Sequence, residues 1–461
     1  MIHANFNHAH RKGQRSRLMT SQQSEQQHSL NWLAPGIVLL NRKYFPDREG
    51  DSYPVGATSF ALNVIECLRR RRLLLGIVLY QRDESLVEPV LELLALDGRH
   101  AVVLRFHFGM PADRVRRALE RAIAHFGAHL AAPPIVYHQT DTLLAYHPRN
   151  FPCCVTHHGP FVADFIARYS EQEAHEAYGG REKVEHLLEV QRQGVQALRD
   201  LPQVHVLQHS VLQREVLLRQ GLSNDRISVM TPPILGRPLQ DVELGARIEG
   251  FLQQADGELV LLSNVARVDY FKNLELLIEA ACIALGRGHR LRVLITGGAA
   301  GDVARREVLL SKVPPPWRGR FLAIERLDQP VMFSLFNRLR GQAVFVCTSR
   351  YETLGITPLE AALSGVFTLA PALDWVEFTR FMPAECRYVY GANTLADHLE
   401  SLVSSRLHTS AHWNAALRDT LSRPRFEDTF MASWAAASAA GLRRFYAPSL
   451  RQERPAEAAM T

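Results

Sequence analysis

Two carboxylates and a glycine lie close together in one segment of this chain. Glu352 and Glu360 are eight positions apart, with Gly355 between them. The apolar run 343–347 is typical of a buried strand and 361–365 of a helix, so the loop between them should begin that helix. A helix start binds phosphate through its unpaired N–H groups and positive dipole end, and a carboxylate accepts hydrogen bonds from sugar hydroxyls. Phosphate and polyol together predict a nucleotide sugar as the ligand.

Two basic residues, Arg267 and Lys272, follow another predicted strand, 259–262, in a strand-to-helix loop. Because they are five positions apart in that loop, their side chains can converge on one anion. A diphosphate that leaves a sugar carries negative charge, which must be stabilised as it forms. Two fixed cations can supply that stabilisation in place of a metal ion.

Both motifs resemble those of retaining glycosyltransferases of family 4, which have the GT-B fold. Glu352 and Glu360 match the Glu-x7-Glu signature of that family. Arg267 and Lys272 match its Arg-x4-Lys pair, with Ala266 where the family commonly has glycine. The sequence contains no Asp-x-Asp pair, the usual metal site of the other large glycosyltransferase class, so we expect neither a metal nor another cofactor.

The resemblance implies a role for each motif residue. Glu352 would hold the donor sugar, and Glu360 would hold the ribose. Arg267 and Lys272 would neutralise the departing diphosphate, whose own oxygen could accept the proton of the acceptor hydroxyl. The loop amides that would hold the sugar and the distal phosphate are those of Thr353, Leu354 and Gly355.

Two weaker matches lie in the first half of the chain. The segment 156–159 ends a predicted strand and matches the family's Thr-x-His-Gly. The resemblance places His158 near the donor sugar and the reacting centre. His157 is the alternative for this role. Gly56 matches one glycine of a Gly-Gly loop that lies near the donor phosphates and the acceptor. That loop precedes a helix predicted from Phe60 onward, and its glycine would allow close approach of the backbone.

Short apolar runs alternate with helical patterns from about residue 37 to 370, which predicts an α/β protein with parallel sheets covered on both faces. With the resemblance, this indicates GT-B: two Rossmann-like doubly wound domains facing a central cleft. We place the N-terminal, acceptor-side domain at 31–240 and the C-terminal, donor-side domain at 241–424. A helix at 425–447 would cross back to complete the first domain. Residues 1–30 and 448–461 are predicted to be disordered tails.

The connection between the two domains is rich in proline and glycine, and we expect the hinge near 232–256. The segment 230–233 replaces the family's Pro-Asn-Gly, so we assign it no ligand contact. Contacts to the nucleotide base should come from the loop near 325–328, where the family pattern is blurred.

Size and composition narrow the function classes. A chain of 461 residues is too long for one core, and a net charge of +6 over that length argues only weakly for nucleic acid as a partner. No apolar run approaches the ~20 residues of a membrane span, and the six cysteines show no Cys-x-x-Cys spacing. We therefore expect a cytoplasmic protein with free thiols. Arginine-rich helices, one ending at 69–72, leave weak peripheral contact with an anionic membrane as an alternative.

These observations predict a retaining, metal-independent glycosyltransferase that moves a sugar from a nucleotide-diphosphate sugar to an acceptor hydroxyl. The acceptor could be a glycan, a lipid or a small natural product. One alternative is a GT-B nucleotide-sugar epimerase, which would need acids and histidines placed for proton removal, and the sequence shows no such set. The other is a catalytically silent nucleotide-sugar-binding partner of another enzyme, against which the intact motifs argue.

Overall fold

A computed structural model defines the fold and describes residues 33–45, 56–96, 99–130, 132–234, 242–404 and 411–452. Two sheets with their flanking helices form two units, which we call the first and the second lobe. The first sheet has eight strands: β1 Gly36–Asn41, β2 Leu74–Arg82, β3 Val90–Leu96, β4 Arg99–Phe106, β5 Ile135–His138, β6 Cys153–Val155, β7 Val204–Gln208 and β8 Ile227–Val229. The second has six: β9 Leu259–Val265, β10 Leu291–Gly297, β11 Phe321–Ile324, β12 Ala343–Val346, β13 Phe367–Pro371 and β14 Arg387–Tyr388.

The helices cover both faces of each sheet. Those of the first lobe are α1 Gly56–Arg70, α2 Ala112–Gly127, α3 Val162–Arg168, α4 Glu171–Tyr178, α5 Arg181–Asp200 and α6 Val211–Arg219. Those that follow are α7 Ala246–Gln253, α8 Leu274–Gly286, α9 Val303–Ser311, α10 Gln329–Arg338, α11 Ile356–Leu363, α12 Ala392–Ser404, α13 Ala411–Thr420 and α14 Arg423–Gln452. Short 3₁₀ turns lie at Arg42–Tyr44, Asp141–Tyr146, Asn224–Arg226, Pro315–Arg320, Glu377–Phe381 and Ala384–Cys386.

The strand order reverses once in each sheet. The first sheet runs β3-β4-β2-β1-β5-β6-β7-β8, and Leu39 of β1 lies in register with Val78 and His138 on either side. The second runs β11-β10-β9-β12-β13-β14. In such sheets ligands bind beyond the carboxyl ends of the strands where the order reverses. For the second sheet this point lies between β9 and β12, whose following loops carry Lys272 and Glu352.

Alternation of side chains along β1 explains why the first sheet is covered on both sides. Ile37 and Leu39 belong to one apolar core, whereas Val38 and Leu40 belong to the core on the opposite face. Because both faces are buried, the strands read as continuous apolar runs. The fold class is confirmed: the protein is α/β, with two doubly wound sheets that are parallel apart from one edge strand. That exception is β3, which pairs antiparallel with β4 and was not predicted.

The C-terminal helix α14 packs on the first lobe, although it follows the second in the chain. Its Phe426, Phe430 and Trp434 join the apolar core of α1 and the first sheet. The Trp434 indole N–H donates to the Ala34 carbonyl at 2.8 Å. The helix runs to Gln452, so the start of the predicted C-terminal tail is helical. The predicted tail 1–30, residues 453–461 and part of the predicted hinge lie outside the described residues, and the domain boundaries stay predictions.

Other features of the sequence have plain structural counterparts. All six cysteines are free thiols, and five of them are buried. No helix in the described part of the chain combines the length and the apolar character that spanning a bilayer requires. Arginines of the surface helices form ion pairs, such as Arg70 with Glu66 and Arg117 with Asp113.

Candidate functional site

A cleft of about 520 Å³ lies between the two lobes. Both lobes line it, and the carboxyl ends of β9 and β12 lie along its second-lobe wall, as doubly wound sheets require. Among the residues proposed from the sequence, eight line this one cleft: His158, Arg267, Lys272, Glu352, Thr353, Leu354, Gly355 and Glu360. The structure therefore brings together side chains from loops far apart in the chain.

The loops after β9 and β12 bring a cation and a carboxylate into direct contact. The Lys272 ammonium group donates a hydrogen bond to Oε2 of Glu352, and both side chains are about four-fifths buried. Burial favours the neutral form of Lys272, but the adjacent Glu352 carboxylate outweighs it, so the pKa of Lys272 lies above its usual value. Lys272 is therefore a permanent positive charge in the cleft at neutral pH.

Arg267 lies at the open side of the cleft. Its side chain is 70% exposed, and its Nε is 3.0 Å from Oδ2 of Asp269 in the same loop. Strand β9 runs to Val265, three residues further than predicted, so the loop that carries Arg267 and Lys272 is shorter than the sequence suggested. Arg267 and Lys272 line the same cleft, which allows both to meet one diphosphate.

The backbone at Glu352 is held by a neighbouring segment. The Glu352 N–H donates to the Trp375 carbonyl at 3.0 Å, and the Glu377 N–H donates to the Glu352 carbonyl at 2.9 Å. Gly355 then caps α11 in the left-handed region, with φ of 72° and ψ of 58°. A Cβ at that position would lie 2.4 Å from Cδ1 of Phe378, so only glycine fits.

Three consecutive amides precede this helix start. The N–H groups of Thr353, Leu354 and Gly355 make no hydrogen bond to any part of the chain that the structure describes. They lie in the cleft wall beside Glu352, at the N-terminus of α11. Unpaired amides at the positive end of a helix form an anion site.

Glu360 lies one turn inside α11 and is 7% exposed. Its Oε1 accepts a hydrogen bond of 3.0 Å from Nε2 of Gln329, at the start of α10. Gln329 was not predicted as a site residue. It follows the 325–328 loop, of which Arg326 and Leu327 also line the cleft. A signal was available, because that loop comes directly after β11.

The structure distinguishes the two adjacent histidines. His157 is buried, with Nδ1 3.0 Å from Oδ2 of Asp141 and its ring stacked on Phe161 at 4.0 Å. His158 instead lines the cleft and stacks on the ring of His209 at 5.2 Å. Burial, reinforced by the neighbouring His209, lowers the pKa of His158 well below its usual value. His158 is therefore a neutral imidazole at neutral pH.

His209 is a cleft residue that sequence reasoning missed. It directly follows β7, and burial lowers its pKa to about 4. Its place after a strand that runs parallel to the strand before His158 was the available signal. Pro232 also lines the cleft, and the expectation that segment 230–233 makes no ligand contact stays a prediction.

Gly56 occupies a different setting from the predicted one. The helix was expected to begin at Phe60, but α1 begins at Gly56, so this residue belongs to the first helical turn and not to a preceding loop. The contacts of Gly56 itself lie outside what the structure describes. Ser59 and Phe60 of the same helix line the cleft.

One further group of side chains has atoms that metals bind. His138, His147 and Cys153 are buried, with their ligand atoms within 4.8 Å of one another. Nε2 of His138 is hydrogen bonded to Nδ1 of His147 at 3.0 Å, and Nε2 of His147 to the Phe151 carbonyl at 2.9 Å. Burial lowers the pKa of both imidazoles, which makes them a neutral hydrogen-bonded pair in the core. None of the three residues lines the cleft.

Comparison with known proteins identifies the architecture. No family model and no curated protein matches the chain. Among solved structures, the E. coli trehalose-6-phosphate protein bound with UDP-2-fluoro glucose superposes with a TM-score of 0.58 at 11% identity, covering 87% of this chain and 99% of that one. The chain has the GT-B fold.

Two other GT-B structures are similar. The UDP-forming α,α-trehalose-phosphate synthase of Burkholderia xenovorans, in complex with glucose-6-phosphate, has a TM-score of 0.56 at 12% identity over 87% of this chain and 100% of that one. Sucrose-phosphate synthase of Thermosynechococcus elongatus has a TM-score of 0.52 at 18% identity over 91% and 100%. The structural superposition establishes the fold. Sequence identities this low do not confirm membership of family 4.

Proposed function

We propose that this GT-B protein is a retaining glycosyltransferase, independent of metal, that moves a sugar from a nucleotide-diphosphate sugar to an acceptor hydroxyl. The observation that carries the proposal is the contact of Lys272 with Glu352 at the reversal point of the second sheet. Beside this contact lie the amides of 353–355, which have no hydrogen-bond partner within the described ranges of the chain. A sugar diphosphate needs a cation and an anion site for its phosphates and a carboxylate acceptor for its sugar hydroxyls, and these three groups lie together here. Glu360, with Gln329, suits the ribose.

The site supports a specific division of roles. The bond between the sugar C1 and the diphosphate oxygen breaks, and the bond pair leaves with the diphosphate. Lys272, Arg267 and the amides before α11 stabilise that charge because they are in place before it develops. The acceptor oxygen bonds to C1, and its proton passes to the departing phosphate oxygen. Glu352 accepts hydrogen bonds from the sugar hydroxyls, and His158 presents a neutral imidazole beside them.

The structural neighbours support a nucleotide-sugar donor. One was solved with UDP-2-fluoro glucose and another is described as UDP-forming. A further structure, of trehalose-6-phosphate synthase, superposes on this chain with a TM-score of 0.51, and its description concerns glycosyl transfer with retention. We propose membership of family 4 from the Glu-x7-Glu and Arg-x4-Lys motifs, both of which line the cleft. A cytoplasmic location and weak membrane contact stay predictions.

The test is incubation of the purified protein with UDP-, GDP-, ADP- and dTDP-sugars, with and without EDTA, followed by chromatography of the nucleotides. We expect slow release of the nucleoside diphosphate from one donor class, unchanged by EDTA. Conversion of the donor to an isomeric sugar nucleotide would show an epimerase instead. Tight binding without any turnover would show a silent binding protein, and loss of turnover with EDTA would refute metal independence.

A further inference from the structure

A pair of short helices from the first lobe lies against the loops that carry Lys272 and Glu352. We call α3 and α4, residues 162–178, the interlobe brace. Phe165 of the brace has its ring 5.3 Å from that of Phe271 and 6.1 Å from that of Tyr351. Phe271 immediately precedes Lys272, and Tyr351 immediately precedes Glu352. The apolar contacts of the brace therefore reach both loops one residue from the charged pair.

Polar contacts join the same elements. The Tyr351 hydroxyl donates to Oδ2 of Asp164 at 2.9 Å across the lobe boundary, and this bond is buried. Two arginines of the first lobe neutralise the Asp164 carboxylate: Nε of Arg168 is 2.8 Å from Oδ2, and Nη2 of Arg219 is 2.9 Å from Oδ1. A buried carboxylate is costly unless it is paired, so these contacts make Asp164 a stable acceptor for Tyr351.

Tyr169 of the brace contacts both segments around Glu352, one through a backbone carbonyl and the other through a side chain. Its hydroxyl donates to the Arg350 carbonyl and accepts a hydrogen bond of 2.8 Å from the Trp375 indole N–H. The Trp375 carbonyl in turn accepts from the Glu352 N–H. One hydroxyl of the first lobe thus ties together the two strands of backbone that hold the Glu352 main chain.

The Lys272 loop has its own polar contact with the brace. The Tyr270 hydroxyl donates to Oε1 of Glu173 at 2.8 Å, two residues before Lys272. A separate contact lies outside the brace, where Glu377 accepts a hydrogen bond of 2.7 Å from the Val211 N–H at the start of α6. The lobes are therefore joined by hydrogen bonds on both sides of Glu352.

We propose that the interlobe brace positions Lys272 and Glu352, with Asp164 and Tyr169 as positioning residues that act through Tyr351 and Arg350. The effect on turnover rests on the proposed function, whereas the ordering of the two loops does not. The ring contacts and hydrogen bonds of the brace hold both loops against the first lobe, and through them the brace sets the geometry of the charged pair. Preorganisation of this kind matters because a shift of about 1 Å can cost roughly 10²-fold in rate.

The test compares the double variant Tyr169→Phe/Tyr351→Phe with wild type by hydrogen–deuterium exchange and donor hydrolysis. We expect amide exchange in 268–273 and 350–355 to rise by at least about tenfold, while peptides of β1 and β10 keep wild-type protection. We expect kcat to fall about 10- to 100-fold. The melting temperature should fall by only a few degrees, since buried hydrogen bonds are lost but no cavity is made. The nucleoside diphosphate Kd should change less than kcat.

Tyr137→Phe is the matched control, because its hydroxyl is buried and bonded to Thr156 at 2.9 Å within the first lobe. It should leave exchange in both loops unchanged. If the double variant fails to fold, Tyr351→Phe alone is measured in the same way. In that variant Asp164 keeps its ion pairs with Arg168 and Arg219, so its buried charge stays compensated. Amide exchange at the wild-type rate in both loops of the double variant would overturn the proposed positioning role of the brace. Absence of hydrolysis by the wild type refutes the proposed function instead, and exchange still tests the brace.

Discussion

The Lys272 ammonium group contacts the Glu352 carboxylate, although 80 residues of sequence separate them. They meet because β9 and β12 are neighbours in the sheet while their following loops turn toward the same cleft. Each of the two side chains neutralises the charge of the other. A bound sugar diphosphate would supply hydroxyls for Glu352 and phosphate oxygens for Lys272, so the pair can exchange its mutual contact for contacts with the donor.

We expect Lys272→Ala to lower the hydrolysis and transfer rates by 10²- to 10³-fold, since loss of one preorganised contact to a developing charge costs about 2.7–4 kcal/mol. Single-turnover assays at saturating donor measure this. Lys312→Ala is the control, because Lys312 forms an exposed pair with Glu275 at 3.4 Å and neither residue lines the cleft. Glu352→Gln should also reduce turnover strongly, and a Glu352→Gln protein with full turnover would remove Glu352 from the proposed site.

Gly355→Ala should damage both stability and donor binding. The added Cβ meets the Phe378 ring, and φ of 72° strains any L side chain. We expect the free energy of unfolding to fall by about 1–3 kcal/mol and affinity for nucleoside diphosphate to drop. Thermal melts and calorimetric titration measure these. Gly319→Ala, where the new methyl enters open space, should change neither. Equal melts for the two variants would contradict the assigned role of Gly355.

Glu360→Gln tests the ribose contact. The substitution keeps the size of the side chain but removes its negative charge and replaces one acceptor oxygen with an amide nitrogen, which cannot accept a hydrogen bond from the ribose. We expect affinity for the preferred nucleoside diphosphate to fall about tenfold, equivalent to 1.4 kcal/mol. The matching 2′-deoxy nucleotide should bind both proteins alike if the contact is to the 2′-hydroxyl. The exposed Glu279→Gln in α8 serves as the control. An unchanged ratio between the ribo- and deoxynucleotides would exclude this contact.

Acid should destabilise the fold through its buried histidines. Burial, with help from nearby Arg226, lowers the pKa of His205 from 6.5 to about 4. Between these values the unfolded chain binds the proton more readily, so the stabilisation present above pH 6.5 is lost as pH falls toward 4. Melting temperatures of wild type should drop from pH 7 to pH 5. His205→Gln should drop less, whereas the exposed His129→Gln should follow wild type.

Much of the fold could be predicted because its causes are local. Continuous apolar runs such as 343–347 mark strands buried on both faces, and β12 spans Ala343–Val346. Strand β3 was missed although it is mostly apolar; it lies at the sheet edge, pairs antiparallel with β4 and leaves Leu93 exposed, so it falls outside the alternation of buried parallel strands and helices. The helix start at Gly56 was missed since no side-chain cap marks it in the sequence.

The sequence by itself determined that Lys272 and Glu352 lie in loops after strands and that Glu360 lies in the helix after the second loop, because motif spacing and strand–helix alternation are properties of neighbouring residues. Tertiary structure alone decided that His158 and not His157 faces the cleft, and that Tyr351 meets Asp164. Asp164 and Tyr351 are 187 residues apart. Such contacts depend on how two lobes pack, and no local period in the sequence records that packing.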